Sequence, residues 1–186
     1  MTPTYKIIAI CGQAGSGKDS IMKEALLINP NLHEIVSCTT RPPREGEVDG
    51  INYHFLTNEQ FAEKVFNGDM LEATVFNDWC YGTAKSSLSL DKINIGVFNP
   101  EGIENLLEYH PTLELKIFAI DCPSKERLLR QLNRELDPDV EEILRRWQTD
   151  RNDFRALPER FPHTVLYNIE PYDLQNCARE IAGQTF

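Results

Sequence analysis

The 186-residue sequence contains no apolar run that approaches the roughly 18 consecutive residues typical of a membrane-spanning helix. Near its start it also lacks the positively charged segment followed by an apolar one that marks a secretion signal. Positive charge is scarce, because 29 acidic residues outnumber 19 Lys and Arg residues and leave a net charge of −10. These absences predict a cytoplasmic protein with no membrane partner and no nucleic-acid partner, since nucleic-acid binding needs a large basic face.

Cysteine pairs with the spacing of metal ligands are also absent. The five cysteines are odd in number and widely separated, at Cys11, Cys38, Cys80, Cys122 and Cys177. No C-x-x-C pair or cysteine–histidine cluster indicates zinc. We therefore expect all five thiols to be reduced and structural, as is usual in cytoplasmic proteins.

One short segment carries the clearest chemical signal. Residues 12–18 read Gly-Gln-Ala-Gly-Ser-Gly-Lys and follow an apolar stretch, residues 5–11, that we expect to be a strand. Glycines at these intervals let backbone N–H groups converge on a phosphate, and the dipole of the following helix favours an anion. Lys18 can reach the outer phosphates of a nucleoside triphosphate. This segment, called the phosphate loop below, predicts ATP binding by residues Gly12, Gln13, Ala14, Gly15, Ser16, Gly17, Lys18, Asp19 and Ser20.

The phosphate loop departs from the usual pattern at one position. The pattern G-x-x-x-x-G-K-[ST] places a hydroxyl after the lysine to bind Mg²⁺, whereas this sequence has Asp19 there and Ser20 next. We therefore predict Asp19 and Ser20 as candidate metal ligands; the alternative is that Asp19 only caps the helix and Ser20 supplies the hydroxyl. A dinucleotide-binding fingerprint is excluded, because Ala14 stands where that pattern needs a glycine.

Strands and helices alternate along most of the chain, which is typical of a mostly parallel sheet covered on both faces. This predicts an α/β three-layer sandwich of the P-loop type, with residues 1–38 and 91–186 forming its core. Residues 39–90 begin with a segment rich in charge, proline and glycine, and we predict that they form an inserted α+β lobe. Strands are expected at 5–11, 32–38, 51–56, 70–76, 93–98, 113–120 and 161–167, and helices at 18–28, 100–109, 124–136 (capped by Ser124) and 172–182, with further helices after Thr57 and from Asp137.

A second motif lies at the start of the predicted lobe. Residues 37–55 read Ser-Cys-Thr-Thr-Arg-Pro-Pro-Arg-Glu-Gly-Glu-Val-Asp-Gly-Ile-Asn-Tyr-His-Phe, and Leu71-Glu72 and Tyr81-Gly82-Thr83 follow further on. This long pattern closely resembles that of the guanylate kinase family. The resemblance runs from the phosphate loop to about residue 90 and weakens towards Asn168.

The resemblance implies a role for each matching residue in binding a nucleoside monophosphate. Arg41, Arg44, Tyr53 and Tyr81 would hold its phosphate, and Ser37, Glu72 and Thr83 would recognise guanine. The chemistry supports the roles, because a carboxylate can accept from both N1–H and N2–H₂ of guanine. Adenine has no N1–H, so a buried Glu72 would be left unpaired.

Eight of the eleven arginines lie between Arg127 and Arg160, a clustering that favours phosphate recognition. Within this region the resemblance implies a helical lid at about 130–146. Arg130 would contact ATP, and Arg134 and Arg145 would act in catalysis with Lys18 and Arg41. We expect Arg127, Arg146, Arg151 and Arg155 to lie on helix surfaces.

One part of the family pattern is missing. The family usually has D-x-D-x-x-G after the third core strand, whereas this sequence has Val97-Phe98-Asn99-Pro100-Glu101-Gly102. We hypothesise that Asp19 compensates for the lost acids. The expected function is ATP-dependent, Mg²⁺-assisted phosphorylation of GMP or dGMP to GDP or dGDP by a monomer or homodimer. The alternatives are a kinase for another nucleoside monophosphate, with a deoxyribose or modified base, and a catalytically inactive interaction module.

Overall fold

The computed structural model describes residues 4–44, 46–76, 78–134 and 136–186, so Glu45 of the second motif lies outside it. No helix within these residues is long and apolar enough to cross a membrane. The described strands form two sheets, one of five strands and one of four. In spatial order the five-stranded central sheet consists of β2 (Leu32–Glu34), β7 (Ile93–Val97), β1 (Lys6–Cys11), β8 (Glu114–Asp121) and β9 (Thr164–Tyr167).

Every pairing in the central sheet is parallel, and the apolar residues of β1 explain why both faces must be covered. Ile8 and Ile10 belong to one buried apolar cluster, whereas Ile7 and Ala9 belong to another on the opposite face. Successive strand residues point to opposite faces, so a continuous apolar strand needs helices on both sides. The predicted three-layer α/β sandwich is thereby confirmed.

Two helices cover the first face of the central sheet. They are α1 (Lys18–Ile28) and α7 (Asp173–Ala182), which pack against one another through apolar residues such as Ile21 and Ile181. Both side chains are fully buried, which stabilises the fold by about 1.5–3 kcal/mol each. The opposite face is covered by α3 (Pro100–Tyr109) and the short α6 (Leu157–Arg160).

The second sheet is mixed and carries its own small core around Phe61. Its strands, in spatial order, are β4 (His54–Phe55), β3 (Cys38–Thr39), β6 (Trp79–Ala84) and β5 (Met70–Phe76). The β3–β4 pair is parallel, and the other two pairs are antiparallel. Helix α2 (Asn58–Phe66) begins with the predicted capping box between Thr57 and Gln60. All four strands lie within residues 38–84, and the lobe boundary at 39–90 remains a prediction.

The arginine-rich segment forms two helices, α4 (Ser124–Leu132) and α5 (Val140–Asp153). Helix α5 begins at the N-cap Asp139, whose carboxylate accepts from the Glu142 N–H at 3.0 Å. The sequence instead indicated an N-cap at Asp137. Ser124 is the first residue of α4 rather than its cap, because Pro123 occupies the cap position.

Several predicted bounds need correction. The strand predicted at 51–56 is only His54–Phe55, the strand predicted at 161–167 is only Thr164–Tyr167, and the helix predicted at 124–136 ends at Leu132. The strand predicted at 32–38 ends at Glu34, and the chain then crosses to the second sheet, where β3 begins at Cys38. The strand at Trp79–Ala84 was not predicted, although its Tyr81-Gly82-Thr83 segment was recognised as part of a motif.

Candidate active site

The phosphate loop joins the carboxyl end of β1 to helix α1, as the sequence predicts. Gly15 and Gly17 adopt φ values of 80° and 90°, in the left-handed region that residues other than glycine rarely occupy. Gly17 is the N-cap of α1, and no described side chain caps it. The first N–H groups of the helix are therefore free of a side-chain cap and can bind an anion.

Close packing fixes the same two glycines. A Cβ atom at Gly15 would lie 2.4 Å from the carbonyl oxygen of Arg127, and one at Gly17 would lie 2.3 Å from Nδ2 of Asn168. The Asn168 amide donates to the carbonyl of Ser16 at 2.7 Å. The loop is therefore held against α4 on one side and against the chain that follows β9 on the other.

Helix α4 supports the phosphate loop through two neighbouring side chains. Arg130 donates to the carbonyl of Gly15 at 3.4 Å and to the carbonyl of Asn168 at 3.2 Å. Gln131 donates to the carbonyl of Ala14 at 3.4 Å. Arg130 thus lies beside the loop, as expected for an ATP-binding residue, and its hydrogen bonds in this structure hold loop carbonyls.

Two buried charged residues at the phosphate loop were missed by the sequence analysis. Arg127 was expected on a helix surface, but it is only 5% exposed and its guanidinium stacks on the ring of Trp147, 4.4 Å from the centroid. Asp150 is 6% exposed and accepts a hydrogen bond from the Ala14 N–H at 2.5 Å. Burial lowers the pKa of Arg127, while the Asp150 carboxylate opposes that shift. The sequence pattern did not predict this burial, because arginine and aspartate on a helix usually face solvent.

Arg41, Arg44, Tyr53 and Tyr81 come together and are called the arginine–tyrosine cluster below. The Arg41 guanidinium is buried, and it lies 5.5 Å from the centre of the Tyr53 ring. The rings of Tyr53 and Tyr81 are 6.1 Å apart in an edge-on arrangement. Burial and the charge of Arg146, followed by that of Arg41, lower the pKa of Arg44. The structure therefore brings together four of the residues predicted to hold the acceptor phosphate.

The arginine–tyrosine cluster faces the phosphate loop. Burial raises the pKa of Tyr53 to about 12, and the next contribution is the negative charge of Asp19 at the start of α1. Such an influence requires Asp19 and Tyr53 to lie near one another. Asp19, the residue after Lys18, therefore lies near the arginine–tyrosine cluster, so the start of α1 and the cluster are neighbours.

A buried carboxylate lies on the antiparallel β5–β6 pair. Glu72 pairs with Thr83 in the strand register and is 8% exposed. Burial raises the pKa of Glu72 to about 7, although the neighbouring Thr83 opposes that shift. The Thr83 hydroxyl is buried and has no hydrogen-bond partner among the described residues, so it is free to bind a ligand. Glu72 and Thr83 are thus together, as predicted. Ser37, the third predicted base contact, directly precedes β3, and its carbonyl accepts from the His54 N–H at 2.9 Å.

Asn99, which stands where the family pattern has an acid, is engaged at both ends of its amide. Its Oδ1 caps helix α3 by accepting from the Gly102 N–H at 2.8 Å, and its Nδ2 donates to the hydroxyl of Thr74 at 3.1 Å. A Cβ atom at Gly102 would lie 3.1 Å from Oε2 of Glu72, so the start of α3 directly adjoins the Glu72 carboxylate.

The two adjacent arginines of α5 both lie within ion-pair distance of Glu142 and differ in their other neighbours. Arg145 pairs with Glu142 and lies 5.9 Å from the Trp79 ring centre. Arg146 was expected on the surface, but it is half-buried and its charge acts on Arg44. Arg134 also lowers the pKa of Arg44, as the last and smallest of its contributors. Arg146 is therefore a candidate site residue that sequence reasoning passed over, although it is adjacent to one that was named.

The residues present fit a magnesium ion that is bound together with phosphates. Asp19 and Ser20 are exposed in the first turn of α1, and the charge of Asp19 is near Tyr53. Within the part of the chain that the structure describes, no group of three or more His, Cys, Asp or Glu side chains could hold a metal. Mg²⁺ commonly binds one or two carboxylates and completes its shell with water and substrate phosphates, which matches this sparse donor set.

Transfer of a phosphoryl group between two nucleotides needs two facing anion sites and a surplus of positive charge between them. The phosphate loop and the arginine–tyrosine cluster meet that need, on a fold with a parallel core and a second mixed sheet. The chain is therefore a nucleoside monophosphate kinase of the P-loop class.

Comparison with known proteins defines the family. The chain belongs to the guanylate kinase family, whose family model matches residues 4–173. It is 31% identical over 166 residues to a guanylate kinase of Gloeobacter violaceus, which covers 88% of this chain and 80% of that protein. It is 35% identical over 182 residues to a guanylate kinase of Mycoplasma mycoides, covering 95% of this chain and 59% of that longer protein.

The fold agrees with a solved structure. The crystal structure of guanylate kinase from Anaplasma phagocytophilum superposes with a TM-score of 0.67, covering 98% of this chain and 85% of that chain. Sequence identity in this alignment is 19%, so it is the shape that the two share.

Proposed function

We propose that the protein transfers the γ-phosphoryl group of ATP to GMP or dGMP, giving ADP and GDP or dGDP. The observation that carries this proposal is the buried Glu72–Thr83 pair next to the arginine–tyrosine cluster. A buried carboxylate needs hydrogen-bond donors, and the N1–H and N2–H₂ groups of guanine can supply two of them. The names of the relatives, all guanylate kinases, agree with it.

The acceptor phosphate would bind in the arginine–tyrosine cluster. Arg41 and Arg44 would pair with its oxygens, and the hydroxyls of Tyr53 and Tyr81 would donate hydrogen bonds. A tyrosine hydroxyl is protonated at neutral pH, and burial raises the pKa of Tyr53 further, to about 12, so it acts as a donor. Ser37, Thr83 and Glu72 would contact the base.

ATP would bind at the phosphate loop, with residues Gly12–Ser20 around its phosphates and Arg130 beside them. Lys18, Arg41, Arg134 and the Arg145–Arg146 pair would surround the transferred group with positive charge, which stabilises a transition state whose charge is spread over its equatorial oxygens. Of the pair, Arg146 is the one whose charge acts on Arg44. Lid closure over residues 130–146 would exclude water and so prevent hydrolysis of ATP.

Mg²⁺ is part of the proposal, with Asp19 and Ser20 as its protein ligands. When bound, the ion would neutralise phosphate charge and orient the triphosphate. Asp19 is suited to this role because it lies in the first turn of α1, directly after Lys18, with its charge near Tyr53. The five cysteines are all unpaired, which agrees with the proposed cytoplasmic location, and the proposed partners are small nucleotides rather than nucleic acid.

The test is a coupled ADP-release assay with Mg-ATP and each common ribo- and deoxyribonucleoside monophosphate. We expect GMP and dGMP to give the highest kcat/KM, and Glu72→Gln to reduce that preference. A faster reaction with another monophosphate would overturn the guanine assignment. Absence of ADP release with every acceptor would overturn the kinase assignment itself.

A further inference from the structure

Helix α5 contacts the phosphate loop through the hydrogen bond from the Ala14 N–H to the Asp150 carboxylate. Both the acceptor carboxylate and the neighbouring Arg127 are buried, at 6% and 5% exposure. A charged acceptor binds a backbone N–H about twice as strongly as a neutral one, and a buried charge is retained only where it has partners. The loop and the helix are 136 residues apart in sequence, so this bond joins two distant parts of the chain.

Arg127 completes the junction from the side of α4. Its guanidinium stacks on Trp147 of α5, and its backbone carbonyl packs against Gly15 of the loop. The Arg127 Nε donates to the carbonyl of Cys122, whereas Nη1 is buried with no hydrogen-bond partner among the described residues. The charges of Arg127 and Asp150 attract one another at a separation beyond that of a direct ion pair. The phosphate loop is thus held between α4 and α5.

Arg146 lies one turn before Asp150 on α5, at the i,i+4 spacing that places two side chains on one helix face. The charge of Arg146 lowers the pKa of Arg44 in the arginine–tyrosine cluster, and Asp150 binds the phosphate loop. A single helical face therefore reaches both anion-binding surfaces. Because an α-helix is rigid over one turn, fixing Asp150 also fixes the backbone position of Arg146, whose guanidinium is held by Glu142 at 3.5 Å.

We propose that Asp150 is a positioning residue that anchors α5 to the Ala14 N–H and thereby holds Arg146 over the phosphoryl group in transfer. This inference rests on the proposed phosphoryl-transfer function. Asp150 does not touch substrate in this scheme; it acts through the helix. Loss of the anchor lets Arg146 shift, and a misplacement of about 1 Å can reduce turnover by roughly 100-fold.

The test compares Asp150→Ala, Asp150→Asn and the exposed helix control Asn152→Ala in the full chain. We expect Asp150→Ala to lower kcat about 10- to 100-fold with KM for GMP nearly unchanged. Asp150→Asn keeps an acceptor oxygen but loses its charge, so kcat should fall only about two- to five-fold. Asn152→Ala should match the wild type. An Asp150→Ala variant with wild-type kcat overturns the proposal.

A double-mutant cycle with Arg146→Ala separates positioning from general loss of structure. If Asp150 acts through Arg146, then Asp150→Ala should have little further effect on kcat in the Arg146→Ala background. Independent, multiplying effects would overturn the proposal. Should Asp150→Ala fail to fold, the same cycle is run with Asp150→Asn, and an unchanged kcat in that variant likewise overturns it.

A readout without substrate uses the two tryptophans. In a Trp79→Phe background Trp147 is the single tryptophan, and it lies in the junction between α4 and α5. Acrylamide quenching of Trp147 should increase in Asp150→Ala and stay near the parent value in Asp150→Asn; equal quenching in all variants argues against the anchor. This measurement stands even if the wild type phosphorylates no monophosphate, a result that would refute the proposed function and not the anchor.

Discussion

One guanidinium nitrogen of Arg41 donates to both carboxylate oxygens of Glu47, at 2.9 Å each. Glu47 also accepts from the Arg44 N–H at 2.7 Å, so a single carboxylate orients both predicted phosphate-binding arginines. Hydrogen bonds from Arg44 and Arg41 lower the pKa of Glu47 despite its partial burial. The arginine–tyrosine cluster is therefore organised before any phosphate arrives.

We predict that Glu47→Ala raises KM for GMP about tenfold or more and lowers the free energy of unfolding by about 3 kcal/mol. The reason is that removing one partner of a largely buried ion pair leaves the other charge uncompensated. Steady-state kinetics and urea unfolding measure the two effects. Glu63→Ala, an exposed position on α2, is the control and should change neither. A Glu47→Ala variant with unchanged KM would show that the cluster needs no such support.

The affinity for GMP should depend on pH through Glu72. The carboxylate accepts two N–H groups of guanine only when it is ionised, and burial raises its pKa to about 7. Binding should therefore be strongest above pH 7 and weaken as pH falls below it, with KM rising towards tenfold per pH unit. KM for GMP measured from pH 5.5 to 8.5 checks this, and the slope should disappear in Glu72→Gln. A flat profile in the wild type would contradict it.

The same carboxylate should destabilise the folded protein at alkaline pH. Its folded pKa lies above the unfolded value of 4.5, so the folded state holds the proton more tightly. The stabilisation from that proton is complete below pH 4.5 and is lost as pH rises through 7. Glu72→Gln should thus be more stable than the wild type at pH 8, by at most about 3 kcal/mol, and not at pH 4.5. Thermal melts at both values decide the matter; equal Tm values at pH 8 would count against it.

Local chemistry predicted many of the helix bounds. Helix Pro100–Tyr109 was predicted at its observed limits, because proline favours a first turn. The capping box at Thr57 and the strand Met70–Phe76 were likewise confirmed. Each of these signals lies within the element that it defines, so no knowledge of distant contacts was needed.

Features that depend on contacts between distant parts of the chain could not be predicted from the local sequence. The sequence around residues 34–38 does not indicate that the chain leaves the central sheet after Glu34 and joins the other sheet at Cys38. The burial of Arg127 and Asp150 follows from where α4 and α5 meet the phosphate loop, and charged letters on a helix are usually solvent-facing. The motifs identified residues with site chemistry, whereas the residues that support them emerged only from the packing.

Gly15→Ala should be far more damaging than an alanine at a matched glycine. Gly68 has a similar φ of 72° with nothing within 4 Å of its added Cβ, whereas the added Cβ at Gly15 would meet a backbone carbonyl at 2.4 Å. Left-handed strain alone costs about 1–2 kcal/mol at either position. Only Gly15→Ala should also raise KM for ATP, because the loop must move away from Arg127. Equal kinetic effects of the two substitutions would contradict this explanation.

The neighbouring arginines of α5 should differ in their effect on turnover. We expect Arg146→Ala to lower kcat by about 100-fold or more, because its charge faces the acceptor phosphate site. Arg145→Ala should change kcat only a few-fold, since the Arg145 guanidinium lies beside the Trp79 ring, whereas the exposed pair with Glu142 is common to both arginines. Single-turnover kinetics at saturating nucleotides measure the difference. A larger loss in Arg145→Ala would reverse the assignment.

The packing of α7 on α1 has a consequence for synthesis on the ribosome. Ile21 and Met22 of α1 are covered by Cys177, Ala178 and Ile181, residues that are translated about 155 positions later. Until α7 emerges, the apolar face of α1 is exposed to solvent, and the phosphate loop that precedes α1 lacks this packed support. A nascent chain in which α7 is not yet translated therefore exposes apolar residues of α1 that the folded protein buries.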